Sequence, residues 1–419
     1  MIQIIRFAFW IMYGLALYFS IFFFIVFIEV TSKPSKKTHF SKLKKFPKIT
    51  IAVPAYNEEA NIANTINSIL KINYPKEKME VFILDDGSTD KTKKIANKFS
   101  SKQIKIISHK NMGKAASLNK ALKIAKGEFF ICLDADSYVE PNTLQKMLYL
   151  YYSSKNPKLA VITPALKVKD PKTLLQKVQW IEYLVTILTS RLSSHIDTQY
   201  VAPGPFSMYK TSILRKLKGF DVKNITEDQE IAYRIQINHY IIKQCQDAFV
   251  HTVSPKNLKA FARQRNRWYI GTLQCLNQYK GMLMNKKYGD FGIIQMFKNL
   301  TGFIIATSTI LLSLIFIIIP LITKLIQLSW VNFDTKTFSK IATGLPTTLY
   351  FDVQLLFIVF ILSFLGWILY YYSHKNSGEK ILGVGLLPIV PYFLIYYSIK
   401  GGVMIYSILE YLIKKKTKW

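Results

Sequence analysis

The sequence predicts an alternating α/β domain flanked by transmembrane α-helices. Three observations predict it. Uncharged stretches long enough to cross a hydrocarbon core lie near both ends of the 419 residues. From about residue 48 to 290 no stretch of that length occurs. Within that interval, short β-rich runs alternate with segments of helical spacing, the pattern of a parallel sheet covered by helices.

Half the residues are hydrophobic and 14% are aromatic. Intrinsic disorder is excluded, because disordered chains lack the apolar side chains that offset ordering entropy. Lys and Arg number 56 against 25 Asp and Glu, a formal charge of +31. A chain both basic and apolar suits an anionic membrane surface or an anionic substrate before DNA. The three cysteines, Cys132, Cys245 and Cys275, are odd in number and widely spaced. They make no disulfide framework and no metal knuckle, which fits a reducing compartment.

The elements follow in order. Phe7 to Ile28 is uncharged and rich in Phe, Ile, Leu and Tyr. A secretory signal would have a shorter apolar core and a small-residue cleavage site, so residues 1–30 are expected to be an uncleaved anchor. Residues 31–48 form a basic linker with Lys33, Lys36, Lys37, Lys42, Lys44, Lys45 and Lys48 and no acid after residue 30. That asymmetry puts the following domain, residues 49–285, in the cytoplasm, and the lysines also attract anionic lipid.

In that domain Ile49–Val53, Val81–Leu84, Ile104–Ile107 and Phe129–Leu133 read as strands. Asn57–Leu70, Thr92–Phe99, Lys114–Ala125 and Asn142–Tyr152 read as helices. Unbroken apolar strands suit a parallel sheet buried on both faces, and such sheets bind ligands outside the carboxyl ends of their strands. Leu174 to Leu192 is amphipathic and carries Trp180, Glu182, Tyr183 and Arg191. It is interfacial, lines an acceptor path, or packs on its own domain. Residues 286–300 are expected to lie in the membrane interface.

Residues 301–419 are expected to hold about three spans: Thr301–Thr323, Val353–Ser373 and Ile381–Ile399. Four spans in all would put both termini outside, yet Lys414, Lys415, Lys416 and Lys418 read as cytoplasmic. Lys400, Gly401 and Gly402 offer a break, after which Val403–Ile413 re-enters or lies flat. Both topologies stay open.

Four motifs carry the chemistry. Asp85-Asp86-Gly87-Ser88 ends a strand, and reads equally as a turn. Asp134-Ala135-Asp136 ends another, where carboxylates are costly unless paired or metal-bound. Two carboxylates one residue apart on a loop can share a hard cation, Mg2+ or Mn2+, whose shell is completed by water and phosphates. The alternative is a helix entry capped by Asp136 or Ser137. Thr226-Glu227-Asp228 precedes helical Gln229–Ile237 and reads as an N-cap with acids at the positive helix end. Gln264-Arg265-Asn266-Arg267-Trp268 sets two arginines, an amide and an indole within five residues. Arginine forks bind phosphate oxygens, and an indole offers a flat face to a sugar. The alternative is a basic interfacial helix with a tryptophan anchor.

In this order the motifs resemble the membrane-embedded family 2 glycosyltransferases with a GT-A (Rossmann-like) fold. That family includes cellulose, chitin, hyaluronan and poly-N-acetylglucosamine synthases. The matching stretches are VPAYNEE (Val53–Glu59), LDDGSTD (Leu84–Asp90), NMGKAASLN (Asn111–Asn119), LDADS (Leu133–Ser137), GPFSMYK (Gly204–Lys210), TED (Thr226–Asp228) and QRNRW (Gln264–Trp268). They cover about residues 49–275.

The resemblance implies an inverting, metal-dependent transferase. Pro54, Tyr56, Glu58, Asp85 and Asp86 would line the nucleotide pocket. Lys114 would approach the diphosphate or donor sugar. Asp134 would contact the donor, and Asp136, with Asp134, would coordinate Mg2+ or Mn2+. Asp228 would be the general base, with Glu227 beside it. Gly204, Gln264, Arg265, Arg267 and Trp268 would hold the acceptor glycan and the diphosphate. His251 is a further metal contact or, as lone histidines usually are, structural.

The expected partners are a UDP-sugar donor, a polysaccharide or lipid acceptor and the lipid bilayer, with an accessory subunit or a second copy left open. Family members with Q-x-x-R-W and spans behind it are often processive, so polysaccharide synthesis with coupled translocation is expected. Single-sugar transfer to a lipid is the alternative. GPFSMYK is nearer the hyaluronan and poly-N-acetylglucosamine synthases than the cellulose synthases. Control by a cyclic dinucleotide bound to this chain is not expected. Neither is nucleic-acid binding, for want of a binding motif, nor transport, for want of ionisable residues in the first three uncharged stretches.

Overall fold

A computed structural model describes residues 2–32, 43–315, 319–330 and 353–414. Lys33, Lys36, Lys37 and Lys42 of the basic linker, and Lys415, Lys416 and Lys418, lie outside the described residues. The chain opens with α1 (Ile2–Ser32). The domain then runs β1 (Ile49–Ala55), α2 (Ile62–Leu70), β2 (Met79–Asp85), α3 (Thr92–Asn97), β3 (Ile104–Ser108) and α4 (Lys114–Ile124). It continues through β4 (Phe129–Cys132), β5 (Ser137–Val139), α5 (Thr143–Ser154), β6 (Leu159–Val168), α6 (Leu174–His195), β7 (Met208–Lys210) and α7 (Thr211–Lys216). It closes with α8 (Glu227–Ile237), β8 (Ile241–Thr252) and α9 (Leu258–Gln278).

The strands form one sheet in the order β3-β2-β1-β4-β7-β6-β8-β5. β3, β2, β1 and β4 are mutually parallel, as the alternation predicts. The other half corrects the expectation of a parallel sheet. β7 runs antiparallel to β4 and β6, and β5 runs antiparallel to β8. Both are three residues long, too short to show a period-two pattern, and the path of the chain fixes their direction.

Successive side chains of a strand point to opposite faces. In β1, Ile49, Ile51 and Val53 enter one core, while Ala52 enters the other. In β4, Phe129 and Ile131 join the first, while Phe130 and Cys132 join the second. Each face is covered, so most positions of β1 and all of β4 are apolar, and each large side chain contributes about 1.5–3 kcal/mol by leaving water.

α6 joins this sheet to the apolar helices. Thr173 accepts the Gln176 amide, and the Gln176 side chain accepts the Thr173 N–H, fixing where α6 starts. Trp180, Ile181, Leu184 and Ile187 then pack with Phe261 of α9 and with Tyr370, Tyr392 and Tyr396. Leu188 and Leu192 pack with Val26, Phe27 and Val30 of α1. The segment read as amphipathic is therefore buried between two bodies.

Behind α9 come α10 (Met296–Ser313), α11 (Ile319–Trp330) and the helix Val353–Asn376. Phe291–Leu300 does not stand apart as a helix of its own, for a π-helical turn (Phe291–Gln295) leads straight into α10. Ile381–Ile399 is not one helix either. Residues 377–388 are turns and irregular chain, and the last helix runs through Ile389–Pro391, a π-helical stretch Tyr392–Tyr396 and Tyr397–Lys414. Gly401 and Gly402 do not break it. A Cβ on Gly401 would come within 2.8 Å of Ile310 Cγ1, so the glycine lets α10 approach closely. Among the described residues, Trp10–Ser32 and Ile389–Ile413 are long and apolar enough to cross a membrane.

Candidate active site

The carboxyl ends of β1, β2 and β4 converge. The loops after β1 and β2 tie each other down. The Asn57 amide donates to Ser88 Oγ, the Glu58 amide to Thr92 Oγ1, and the Thr89 amide to Asn57 Oδ1. Asn57 takes a positive φ of 55° for this, which is why α2 begins at Ile62 and not at Asn57. Tyr56 projects from the loop, 49% exposed, while Pro54 lies on β1 beside Leu84.

Asp85 and Asp86 are both buried. Asp85 Oδ1 accepts the Ser88 amide at 3.1 Å. Asp86 accepts the Met112 and Gly113 amides, each at 2.9 Å, with His109 Nε2 at 3.2 Å. Asp86 thus holds the loop that starts α4 and aims its first residue, Lys114. Gly87 serves the same closure, with φ +78° and room for no Cβ against the Asn111 backbone.

Lys114 is the centre. Its Nζ lies 2.6 Å from Asp134 Oδ1 and 2.7 Å from Glu227 Oε1. Burial works against its charge, but Asp134, Glu227 and Asp228 outweigh it and hold the ammonium well above its usual range. Gly204 makes the contact possible. A Cβ there would lie 2.6 Å from Lys114 Nζ and 2.7 Å from both Asp134 carboxylate oxygens.

Two carboxyls are also raised, which favours their neutral form. Burial, then the charge of Glu227, raises Asp228 to about 6, against the pull of Lys114 and Arg267. Burial, then Asp134 and Glu58, raises Asp136 to about 7. Burial also raises Glu58, partly offset by its bond from Asn61. Among the described residues no three His, Cys, Asp or Glu side chains form a ready metal shell. The donor set still fits a hard divalent cation. Asp136 accepts a hydrogen bond from Ser137 at 3.1 Å, its negative charge is opposed by Asp134 and Glu58, and every candidate ligand atom there is a carboxylate oxygen.

At the start of α8, the Thr226 hydroxyl donates to Asn224 Oδ1 instead of capping the helix. Gly271 of α9 packs so tightly on Thr226 that a Cβ would fall 2.0 Å from its Oγ1. That contact brings the basic motif Gln264–Trp268 to the acids, and Arg267 acts on Asp228. The Gln264 Oε1 atom is buried with no partner. Arg265 differs from its neighbours. It is buried, its Nη2 bonds the Glu182 carboxylate, and its guanidinium lies 4.2 Å from the Trp268 ring centre. His251 is held by Glu140, Nε2 to Oε1 at 3.0 Å.

The sequence motifs contained neither Lys400 nor Tyr396, yet both bind Glu182. Lys400 Nζ is 2.6 Å from Oε1, and the Tyr396 hydroxyl is 2.5 Å from Oε2. Burial alone would raise the Glu182 carboxyl, but Arg265 and Lys400 hold it down to about 2. The one sequence signal was a lysine interrupting an apolar stretch.

A sheet whose carboxyl edge gathers acids around one lysine, extended beneath α6 by the parallel pair β6 and β8 with short antiparallel β7 and β5, is the GT-A fold of glycosyltransferases. The chain carries a family 2 glycosyl transferase domain, and residues 50–218 match the family model Glycosyl transferase family 2. A poly-beta-1,6-N-acetyl-D-glucosamine synthase of Staphylococcus epidermidis is 30% identical over 231 residues, 54% of this chain and 55% of that protein. The synthase of the same name from Staphylococcus aureus strain COL is 30% identical over 234 residues, with the same coverage. The chain thus spans about half the length of these curated relatives. A mannosyltransferase from Pyrobaculum calidifontis, solved with GDP-Man and Mn2+, superposes over 99% of both chains with a TM-score of 0.60. At 18% identity that likeness is one of fold.

Proposed function

We propose that the chain moves a sugar from a UDP-sugar to the end of a growing polysaccharide, inverting the anomeric carbon, at a membrane and on its cytoplasmic side. The observation that carries this is the Lys114 bridge between Asp134 and Glu227, which puts the donor-side acid and the Asp228 carboxylate in one cleft. Asp228 takes the proton of the acceptor hydroxyl. The freed oxygen attacks the anomeric carbon as the bond to the diphosphate breaks, and UDP leaves with the electron pair. One base suffices for such a displacement. Lys114 and Arg267 oppose the charge that develops on the leaving diphosphate. Mg2+ or Mn2+ held by Asp136 with Asp134 would add positive charge against the diphosphate oxygens. Tyr56, exposed beyond the end of β1, and Pro54 would receive the base and ribose, and Trp268 would offer its ring to the acceptor sugar.

The named product of the curated relatives makes UDP-N-acetylglucosamine the first donor to test. The protein in proteoliposomes receives Mn2+ or Mg2+ and labelled UDP-sugars, singly and in pairs, with Asp228→Asn as control. High-mass product from one donor supports a homopolymer synthase, and a need for two donors a heteropolymer synthase. Label confined to a lipid bearing one sugar replaces the polysaccharide reading with single transfer. No transfer from any donor overturns the proposal.

A further inference from the structure

α9 presents two faces. Gln264, Arg267, Trp268 and Gly271 recur at i, i+3, i+4 and i+7, which is one side of a helix. On that side Gly271 abuts Thr226 and Arg267 acts on Asp228. Arg265 and Asn266 turn instead to the last helix. Arg265 lies 3.4 Å from the Tyr396 hydroxyl. The Asn266 amide donates to Glu410 Oε2 at 2.8 Å, and its oxygen accepts from the Ser407 hydroxyl at 2.6 Å.

Between these helices stands Glu182 of α6. It bonds Arg265 through one oxygen and Lys400 through the other. The carboxylate is buried and its two cations come from different helices. Without its charge, Arg265 and Lys400 would face each other as uncompensated like charges in a space that has lost its water. An ionisable group in an apolar helix, held by a matched partner, is characteristic of a functional tie rather than of filler. On the nucleotide side, Asp85 and Asp86 are set instead by the amides of strand-end loops.

Resting on the transferase reading above, we propose that Glu182 is a positioning residue for the acceptor side. By neutralising Arg265 and Lys400 together, it clamps the helix Tyr397–Lys414 onto α9 and so sets Arg267 and Trp268 against Asp228. The apolar helix that packs on α9 is thereby coupled to acceptor binding and not to donor binding.

The test uses the full chain in proteoliposomes and three variants: Glu182→Gln, Lys400→Met and the double variant. Three quantities are read: acceptor KM and kcat, UDP affinity with Mn2+, and hydrogen exchange of the α9 amides. Glu182→Gln is expected to lower acceptor kcat/KM at least about tenfold in the native background and less than about threefold beside Lys400→Met. UDP affinity should stay within about twofold. The α9 amides should exchange faster while those of β1, β2 and β4 do not. Equal losses in both backgrounds overturn the clamp, as does unchanged α9 exchange in Glu182→Gln. If that variant does not fold, Lys400→Met decides alone. Faster α9 exchange with UDP affinity kept supports the proposal, and native exchange overturns it. Should the native protein transfer no sugar at all, the transferase reading fails, while the exchange measurement still judges the clamp.

Discussion

The proposed donor side and the proposed acceptor side of the cleft are built by different means. On the donor side, backbone amides of neighbouring loops hold the two acids that end β2. Asp85 takes the Ser88 amide, and Asp86 those of Met112 and Gly113. On the acceptor side, charged side chains far apart in sequence hold each other, as in the set formed by Glu182, Arg265 and Lys400. The first kind of site is as rigid as the sheet under it. The second kind depends on how helices dock, so, on the proposal above, it is expected to be altered without disturbing nucleotide binding. Lys114 belongs to both sides, through Asp134 and Glu227.

The largest expected effect separates the two sides at Asp228. Asp228→Asn should reduce transfer by about 10²–10⁴-fold and leave UDP affinity unchanged. A native turnover rate in that variant removes Asp228 as the base. The same residue sets the pH profile. Burial raises its carboxyl from 3.8 to about 6, and a base works only when deprotonated. The native kcat/KM should therefore be flat above about pH 6 and fall as pH drops through it. Stability has the opposite sign, because an acid raised in the folded state costs stability once pH passes its unfolded value near 4. Asp228→Asn should melt higher than the native protein at pH 8, the gap closing toward pH 4. A native Tm at pH 8 contradicts the desolvated carboxyl.

Next in size is the residue the sides share. Lys114→Met leaves Asp134 and Glu227 without their shared cation, and removing one partner of such a set costs about 3 kcal/mol. Both UDP affinity and transfer should fall. Tm should recover in part on acidification from pH 8 to pH 5, as the crowded carboxyls take up protons. A variant that keeps UDP affinity would confine Lys114 to the acceptor side.

Gly204→Ala probes the donor side by shape alone. The added methyl would meet Lys114 Nζ and both Asp134 oxygens at under 3 Å. Displacing them should weaken UDP binding by about tenfold, or about 1.4 kcal/mol. Titration calorimetry of UDP with Mn2+ reads this directly, and native affinity would show that the bridge tolerates movement.

What the sequence revealed follows the same division. The strands β1 to β4, the strand-end acids and their order were legible, because unbroken apolar runs and turn residues are local signals. The two reversed strands, β5 and β7, were not, since each is only three residues long. The basic motif was recognised as one unit, but its two-faced use was not legible. That Arg265 turns to Glu182 while Arg267 acts on Asp228 depends on where α6 and the last helix dock. The role of Gly204 was equally hidden, for a close approach of two side chains leaves no periodic trace.

The smallest expected effect concerns His251, which the sequence left between metal contact and structural residue. β8 pairs it with Tyr138 of β5, only two residues beyond Asp136, so nearness alone would admit it to the acidic cluster. Its Nε2, however, is engaged by Glu140 at 3.0 Å, and that bond is the leading cause of the lowered Glu140 carboxyl. Both side chains are about a third exposed, where an ion pair contributes no more than about 0.5 kcal/mol. His251→Gln should therefore leave Tm nearly unchanged and shift the Mn2+ concentration for half-maximal transfer by less than about twofold. A ligand to the ion would behave otherwise. Even loss of a residue that merely orients a ligand weakens metal binding by about 10–100-fold, and a shift of that size would move His251 from the edge of the sheet into the donor site.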